Sequence, residues 1–282
     1  GSLQFVLRQG ATYKKLIDAK HIETRYRPGS MCYTIHDPLL GGGKLRITVM
    51  AQAHAEGLVL KLEGENVAAS SILYAVYGGA SGKTFSRNGD IGADPESGFY
   101  LLPAYTENNH FTVTGNSFTL RYLGKRREEQ FIHGTFSGTT AVHVGDALAL
   151  EALSTLEGST NKDHPIVYAK YDKWTAPVYM QIAKGEGRAS HDNHPEMVQR
   201  FEQAEEARRQ LVDRLRLRTP DRFINTFGAA LAIAADGIWE SPTYLHGAVA
   251  WRMRPNAWRG AYAADALGWH DRAKEHFSSY VN

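Results

Sequence analysis

The amino-acid sequence predicts a mainly β chain with its helices gathered at the C-terminal end. The expected parts are an antiparallel β-sandwich over residues 1–185, a linker and long amphipathic helix over 186–218, and further helices over 219–282. Three observations predict this. About eleven short β-rich runs fill the first part with no helical period between them, which argues for antiparallel sheets and against strand–helix–strand units. The stretch KGEGRASHDNHP, residues 184–195, then turns polar and glycine-containing. From Pro195 onward apolar residues recur at three- and four-residue spacing.

The candidate strands are 31–35, 44–51, 57–62, 71–77, 99–103, 110–114, 117–122, 130–136, 141–146, 165–171 and 178–183. In KLRITVM, Leu45, Ile47 and Val49 alternate with Arg46 and Thr48; in GLVLKLEG, Leu58, Leu60 and Leu62 share a face. Gly115-Asn116 lies between two alternating runs and reads as a tight hairpin. Cys32, the one cysteine, lies in the apolar run MCYTI and reads as a small core residue.

A glycine-rich insertion at 78–98 interrupts the strands. Its Gly82-Lys83-Thr84 has Tyr77 where a phosphate loop needs its first glycine, Gly78 being one residue too close, and no helix period follows. Asn88, Asp90, Asp94 and Glu96 offer oxygen ligands, but Phe99 stands where a calcium loop started at Asn88 would need its bidentate Glu. The insertion reads instead as a long loop reaching toward a neighbouring domain. His191, Asp192 and His194 sit in an irregular linker, where adjacent residues rarely converge on one metal. No metal and no cofactor is expected.

Pro195 suits a first helical position. The helix expected over 195–218 places Met197, Phe201, Ala204, Leu211 and Leu215 on one face and a charged set, with Glu205 four residues before Arg209, on the other. It is expected to lie along the sandwich. Thr219-Pro220-Asp221 breaks it, and Asp221 caps a second helix, 222–238, apolar nearly all round and so expected to be buried on most sides. A third helix is expected over 258–266. A fourth starts near Trp269 and stays periodic through Ala273, His276, Phe277 and Tyr280. Helices of this kind ask for more partners than the chain supplies, so it reads as the N-terminal piece of something longer, or as one that packs on copies of itself.

Composition bounds the function. The chain has 282 residues, of which 43% are hydrophobic and 22% charged, with a net charge of +2. There is no basic stripe for nucleic acid. No apolar run approaches the roughly 18 residues of a bilayer span. Gly1-Ser2 looks like a cloning scar, leaving room for a leader cut away.

Residues 238–271 carry the densest chemistry. They hold Trp239, Trp251, Trp258 and Trp269, four of the five tryptophans, with Glu240, Asp265, Asp271, Arg252, Arg254, Arg259, His246, His270 and Asn256. The part from Ser241 to Asn256 has two prolines and no helical period. Indole faces stack on pyranose C–H faces, and carboxylates and guanidinium groups hydrogen-bond hydroxyls, so the stretch reads as a sugar site. The plainer reading is a connector whose tryptophans fill core gaps and whose carboxylates pair with Arg252, Arg254, Arg259 or Arg272.

Two stretches, YGGASGKTFSRNGDIGADPESGFYL (77–101) and TPDRFINTFGAALAIAADGIWESPTYLHGAVAWRMRPNAWRGAYAADALGWHDRAKEHFSSY (219–280), resemble an uncharacterised family of large secreted Bacteroidetes proteins that is glycoside-hydrolase-like. The resemblance implies that the helices begin an (α/α)6 six-hairpin toroid completed by a missing C-terminal half. It implies carbohydrate as partner and a periplasmic or extracellular location. Such hydrolases work through a carboxyl pair, about 6.5–9.5 Å apart when inverting. By that likeness Trp239, Trp251, Asn256, Trp258, Arg259, Trp269 and His270 would bind substrate. Asp265, Asp271 and Glu240 are the catalytic candidates, Asp236 is a helix partner, and Asn88, Asp90 and Asp94 would reach the rim of the site. The alternative is a non-catalytic carbohydrate-binding or structural sandwich, with Trp174 and the tyrosines of 168–179 as its platform.

Overall fold

The computed structural model describes residues 1–82, 100–139, 141–158, 162–172, 176–185, 194–247, 253–254 and 257–281, with the backbone alone at 257 and 258. Of the expectations above, Asn88, Asp90, Asp94, Glu96, Phe99, Trp174, His191, Asp192, Trp251, Arg252 and Asn256 lie outside the described residues. The described chain divides into two compact units, 1–82 with 100–204, and 205–281.

In the first unit the strands run β1 (Ser2–Gln9), β2 (Thr12–Lys15), β3 (His21–Arg27), β4 (Ser30–His36), β5 (Lys44–Ala51), β6 (Gly57–Glu65), β7 (Ser71–Gly78), β8 (His110–Thr114), β9 (Ser117–Leu123), β10 (Glu129–Phe136), β11 (Val142–Asp146), β12 (Pro165–Tyr171) and β13 (Val178–Gly185). They form a five-stranded sheet, β11-β12-β7-β1-β2, and an eight-stranded sheet, β3-β4-β5-β6-β13-β10-β9-β8. Every pairing is antiparallel.

The alternation read from the sequence decides which side chains meet. Leu7, Leu73, Ala75 and Val167 of the smaller sheet share one buried cluster with Leu45, Ile47, Leu60, Leu62, Phe118 and Phe136 of the larger, so the two sheets form a sandwich. The opposite residues of the smaller sheet, Val6, Tyr74, Val76 and Ile166, are covered by Ala147, Ala149, Leu150 and Leu156. The hairpin at Gly115-Asn116 joins β8 to β9, with Thr114 opposite Ser117. Gly115 has φ +57°, a conformation that costs glycine little.

Several expectations need correction. The sequence reading begins its strands at residue 31, whereas β1, β2 and β3 precede it. Leu3, Phe5 and Leu7 in β1 alternate as regularly as any later strand and face the core. β3 is an edge strand, mostly exposed, yet its Ile22, Thr24 and Tyr26 alternate with Glu23, Arg25 and Arg27, a strand signal that the sequence reading passed over. The strand expected at 99–103 is absent over 100–103; Pro103, which has no N–H for a ladder, opens a 3-10 turn at Pro103–Tyr105 instead. Cys32 is only half-buried, on the face away from Ile35 and Tyr33.

The helices are α1 (His194–Val212), α2 (Arg222–Gly237), α3 (Ala257–Ala266) and α4 (His270–Ser278), with the two-residue strands β14 (Trp239–Glu240) and β15 (Thr243–Tyr244) between α2 and α3. Within the first unit, α1 covers part of the outer face of the eight-stranded sheet. Met197 is fully buried, Phe201 and Ala204 pack with Met50 and Val59, and the Phe201 ring lies 5.6 Å from that of Tyr179. The helix ends six residues short of the expected Arg218, and beyond it Leu217 packs against Gly228 of α2. Asp221 caps α2, its Oδ1 accepting from the N–H groups of Phe223 and Ile224. Burial of α2 on most sides is not what the structure shows. It buries Gly228, Ala232 and Ala235 and exposes Phe223, Ile224, Phe227 and Leu231. The helix at the chain end stops at Ser278 instead of remaining periodic to Tyr280. No helix among the described residues is long and apolar enough to cross a membrane.

Candidate functional site

The described residues of the residue-dense stretch lie in the second unit. α2 ends at Gly237, and the chain turns back at once. Trp239 pairs with Tyr244 and Glu240 with Thr243 around Ser241-Pro242, whose peptide bond is cis. What was read as an unpatterned loop therefore opens with a small hairpin. Its inner residue, Tyr244, is fully buried, with the Trp239 ring 4.7 Å away. The α3 backbone passes so close that a Cβ on Gly260 would lie 2.3 Å from that of Tyr244. Alanines at 235, 261, 264 and 273 complete the same cluster, and their small side chains let the elements approach.

The turn between α3 and α4 is set by ALGWHD. Gly268 has φ +77° and donates its N–H to the carbonyl of Asp265 at 3.0 Å, while Trp269 donates to Ala264 at 2.8 Å. These two bonds define a Schellman motif, which explains the glycine and turns Trp269 inward onto Ala264. They also bring the start of α4 beside the last turn of α3. His270 Nδ1 is thereby 2.6 Å from Asp265 Oδ1, on exposed surface.

Arg272 joins this turn to the hairpin. Its guanidinium lies 4.6 Å from the Trp269 ring centroid and 5.6 Å from that of Trp239, and donates to Asp236 at 2.9 Å. Arg214 lies 4.9 Å from the Trp269 centroid and donates to the carbonyl of Leu267. Such cation–π contacts are worth about 0.5–2 kcal/mol each, more where water is excluded. His276, fully buried, accepts the backbone N–H of Tyr244 at Nδ1, 3.1 Å away. Ser241 and Glu275 form a further hydrogen bond between hairpin and α4. Burial pushes the Tyr244 phenol up from its ordinary value, and the hydrogen bond and charge of Arg272 offset part of that.

The structure thus brings Trp239, Trp269, Asp236 and Arg272 together and pairs Asp265 with His270. Glu240, Arg259 and Asp271 are exposed. Trp269 is 8% exposed, so Trp239 is the described indole that keeps accessible surface. Trp258 lies in α3, where its backbone alone is described. Asp236 pairs with Arg272, as the connector reading has it for the carboxylates in general, whereas the partner of Asp265 is a histidine. Sequence reasoning did not single out Tyr244, Arg214 or the buried role of His276. The spacing of His276 three residues after Ala273 carried the signal, since both point into the same core. No group of three or more His, Cys, Asp or Glu side chains among the described residues is placed to hold a metal.

Comparison with known proteins gives three findings. A family profile described as a domain of unknown function (DUF4450) matches residues 1–205. No curated protein matches. Among solved structures, a polysaccharide lyase superposes with a TM-score of 0.20 at 8% identity, over 66% of this chain and 26% of its own.

Proposed function

The chain belongs to the DUF4450 family, whose profile spans its sandwich and the first half of α1, and from that premise we propose that it is a carbohydrate-handling protein whose sugar site lies on the second unit, outside the matched residues. In this reading the chain is the first part of a glycoside-hydrolase-like protein. Helices α2 to α4 open a toroid, and the sandwich is its companion module.

The observation that carries the reading is the cluster built on Trp239, Arg272, Asp236 and Trp269. An indole held on a hydrogen-bonded guanidinium is a rigid platform for a pyranose face. Exposed Glu240 and Asp271 flank it in sequence, and His270 begins the helix that carries Arg272. The exposed stripe Phe223, Ile224, Phe227 and Leu231 supports the toroid part. Large apolar residues at this spacing suit a helix that other helices cover, whether from the same protein or from a second copy. In the isolated chain we expect binding with little turnover.

The test is a glycan array of neutral and uronate-containing oligosaccharides, followed by calorimetry on the best binder with Trp239→Ala. Loss of about tenfold or more in affinity supports the site. Tyr168, Tyr171 and Tyr179 are buried and cannot form the platform expected of them, so binding that survives Trp239→Ala but falls on substitution of an exposed sandwich tyrosine such as Tyr26 moves the site to the sandwich and makes the chain a binding module. No binding by any member removes the carbohydrate reading.

A further inference from the structure

We infer that Asp265 is a positioning residue for His270, fixing the imidazole so that its Nε2 is presented to solvent as a hydrogen-bond acceptor for a ligand hydroxyl. The ligand part of this inference rests on the sugar-site reading above. The dyad itself does not.

The backbone makes the pair. In the Schellman turn Gly268 and Trp269 close on the carbonyls of Asp265 and Ala264, so the second-last residue of α3 and the first of α4 are side by side. An ionised carboxylate can only accept, so the short contact to Nδ1 calls for an Nδ1–H donor. With Nδ1 protonated, a neutral imidazole carries its lone pair on Nε2. A carboxylate that selects one tautomer in this way is the orienting half of an acid–base pair. Both side chains are about 70% exposed (72% for His270, 69% for Asp265), so the acceptor faces water and anything bound there. A bare Nε2 selects for O–H donors, which a polyol supplies in number. The chemistry also changes the place of Asp265, whose Oδ1 is engaged by His270; the group offered to ligand is the imidazole.

The charged and titratable neighbours are Asp271, Arg272 and Lys274 on α4, Tyr262 on α3, and Arg214, whose guanidinium reaches the Leu267 carbonyl in the same turn. The measurement is therefore made at about pH 8, above the ordinary imidazole range.

The experiment reads the tautomer directly, by two-bond proton–nitrogen correlation spectra of the imidazoles. The signal lost in His270→Gln identifies His270 among the twelve histidines. The wild type is expected to show Nδ1 protonated and Nε2 bare. Asp265→Asn can donate its amide to Nδ1 and should invert the pattern to Nε2–H, just as an Asp-to-Asn change in a serine-protease triad gives the wrong tautomer. Asp265→Ala should leave a mixture. An Nε2–H wild type, an imidazolium at that pH, or a pattern unchanged in Asp265→Asn overturns the inference. On the array's best binder, Asp265→Asn and His270→Asn should each weaken binding about tenfold, while His270→Gln, whose amide oxygen reaches the Nε2 position, should keep most of it. Equal loss in both His270 variants sinks the ligand role. If nothing on the array binds the wild type, the sugar-site reading fails while the spectra still decide the dyad.

Discussion

Replacing Asp37 should be the most damaging single change on the polar side of the sandwich. Its side chain is fully buried and accepts three hydrogen bonds: from Lys14 Nζ at 2.6 Å, from the N–H of Lys20 at 3.0 Å and from the N–H of Leu39 at 3.0 Å. It ties β2, the turn before β3 and the 3-10 turn at Pro38–Leu40 into one knot. Asp37→Ala strands two backbone donors, the Leu39 N–H in the interior. Lys14 is 31% exposed and can turn to water, so its charge is not trapped. Two stranded donors at about 1–3 kcal/mol each, with the lost ion pair, put the cost at about 3–5 kcal/mol. Asp37→Asn keeps the shape and one acceptor oxygen and should cost about 2–3 kcal/mol. Urea unfolding should be followed by the β-sheet circular dichroism band, because four of the five tryptophans fall in the other unit and dominate the fluorescence. There is also a pH signature. Burial alone would raise the carboxyl, but the Lys14 hydrogen bond and charge and the two backbone donors outweigh it and hold it below its ordinary value. A depressed folded value means the stabilisation is complete about a unit or more above the unfolded carboxyl near 3.9. It fades as pH falls below about 5 and is gone below the folded value. The wild type should therefore lose stability in that window more steeply than Asp37→Asn. Costs within about 0.5 kcal/mol, the range of an ordinary surface change, or equal slopes in acid would refute the reasoning.

Other changes test the second unit. Gly268→Ala forces a left-handed conformation on an L side chain at the Schellman turn and should cost about 1–2 kcal/mol, read as a lower urea midpoint of tryptophan fluorescence. Gly260→Ala places a methyl 2.3 Å from the Cβ of Tyr244 and should cost about 1–3 kcal/mol while altering the near-ultraviolet dichroism of Trp239. Asp221→Ala removes the α2 cap and should cost about 0.5–2 kcal/mol by the same fluorescence midpoint. Phe227→Ser, at a position 59% exposed, should change the midpoint of this chain by no more than about 0.5 kcal/mol; a larger loss would show that the stripe is covered in solution.

The period of the sequence was enough for most of the sandwich and for all four helices. Alternation of Leu45, Ile47 and Val49 or of Leu58, Leu60 and Leu62 needs no partner to be seen, because a strand's faces are set by its own pleat. Local chemistry likewise marked Asp221 as a cap and Gly115-Asn116 as a hairpin, since each acts within a few residues of itself. The edge strand β3 carried the same alternation, Ile22, Thr24 and Tyr26 against Glu23, Arg25 and Arg27, but with one aliphatic residue in seven it offers little apolar weight. Its pairing rests on backbone bonds to β4, which any sequence can make.

The tertiary structure decided what the sequence left open. Composition named the tryptophans, carboxylates and arginines of 238–271 without distinguishing a buried indole from an accessible one. Only packing puts Trp269 inside, with Arg272 over its ring and that of Trp239. Only the folded turn brings Asp265 to His270. The apolar count of α2 foretold burial but could not say which face finds partners, and the chain covers the small face and leaves the phenylalanines in water. The reason is the same in each case. Periodicity is a property of neighbours along the chain, whereas a site is made by side chains that meet across it, and those meetings depend on the paths of hairpin, turn and helix together.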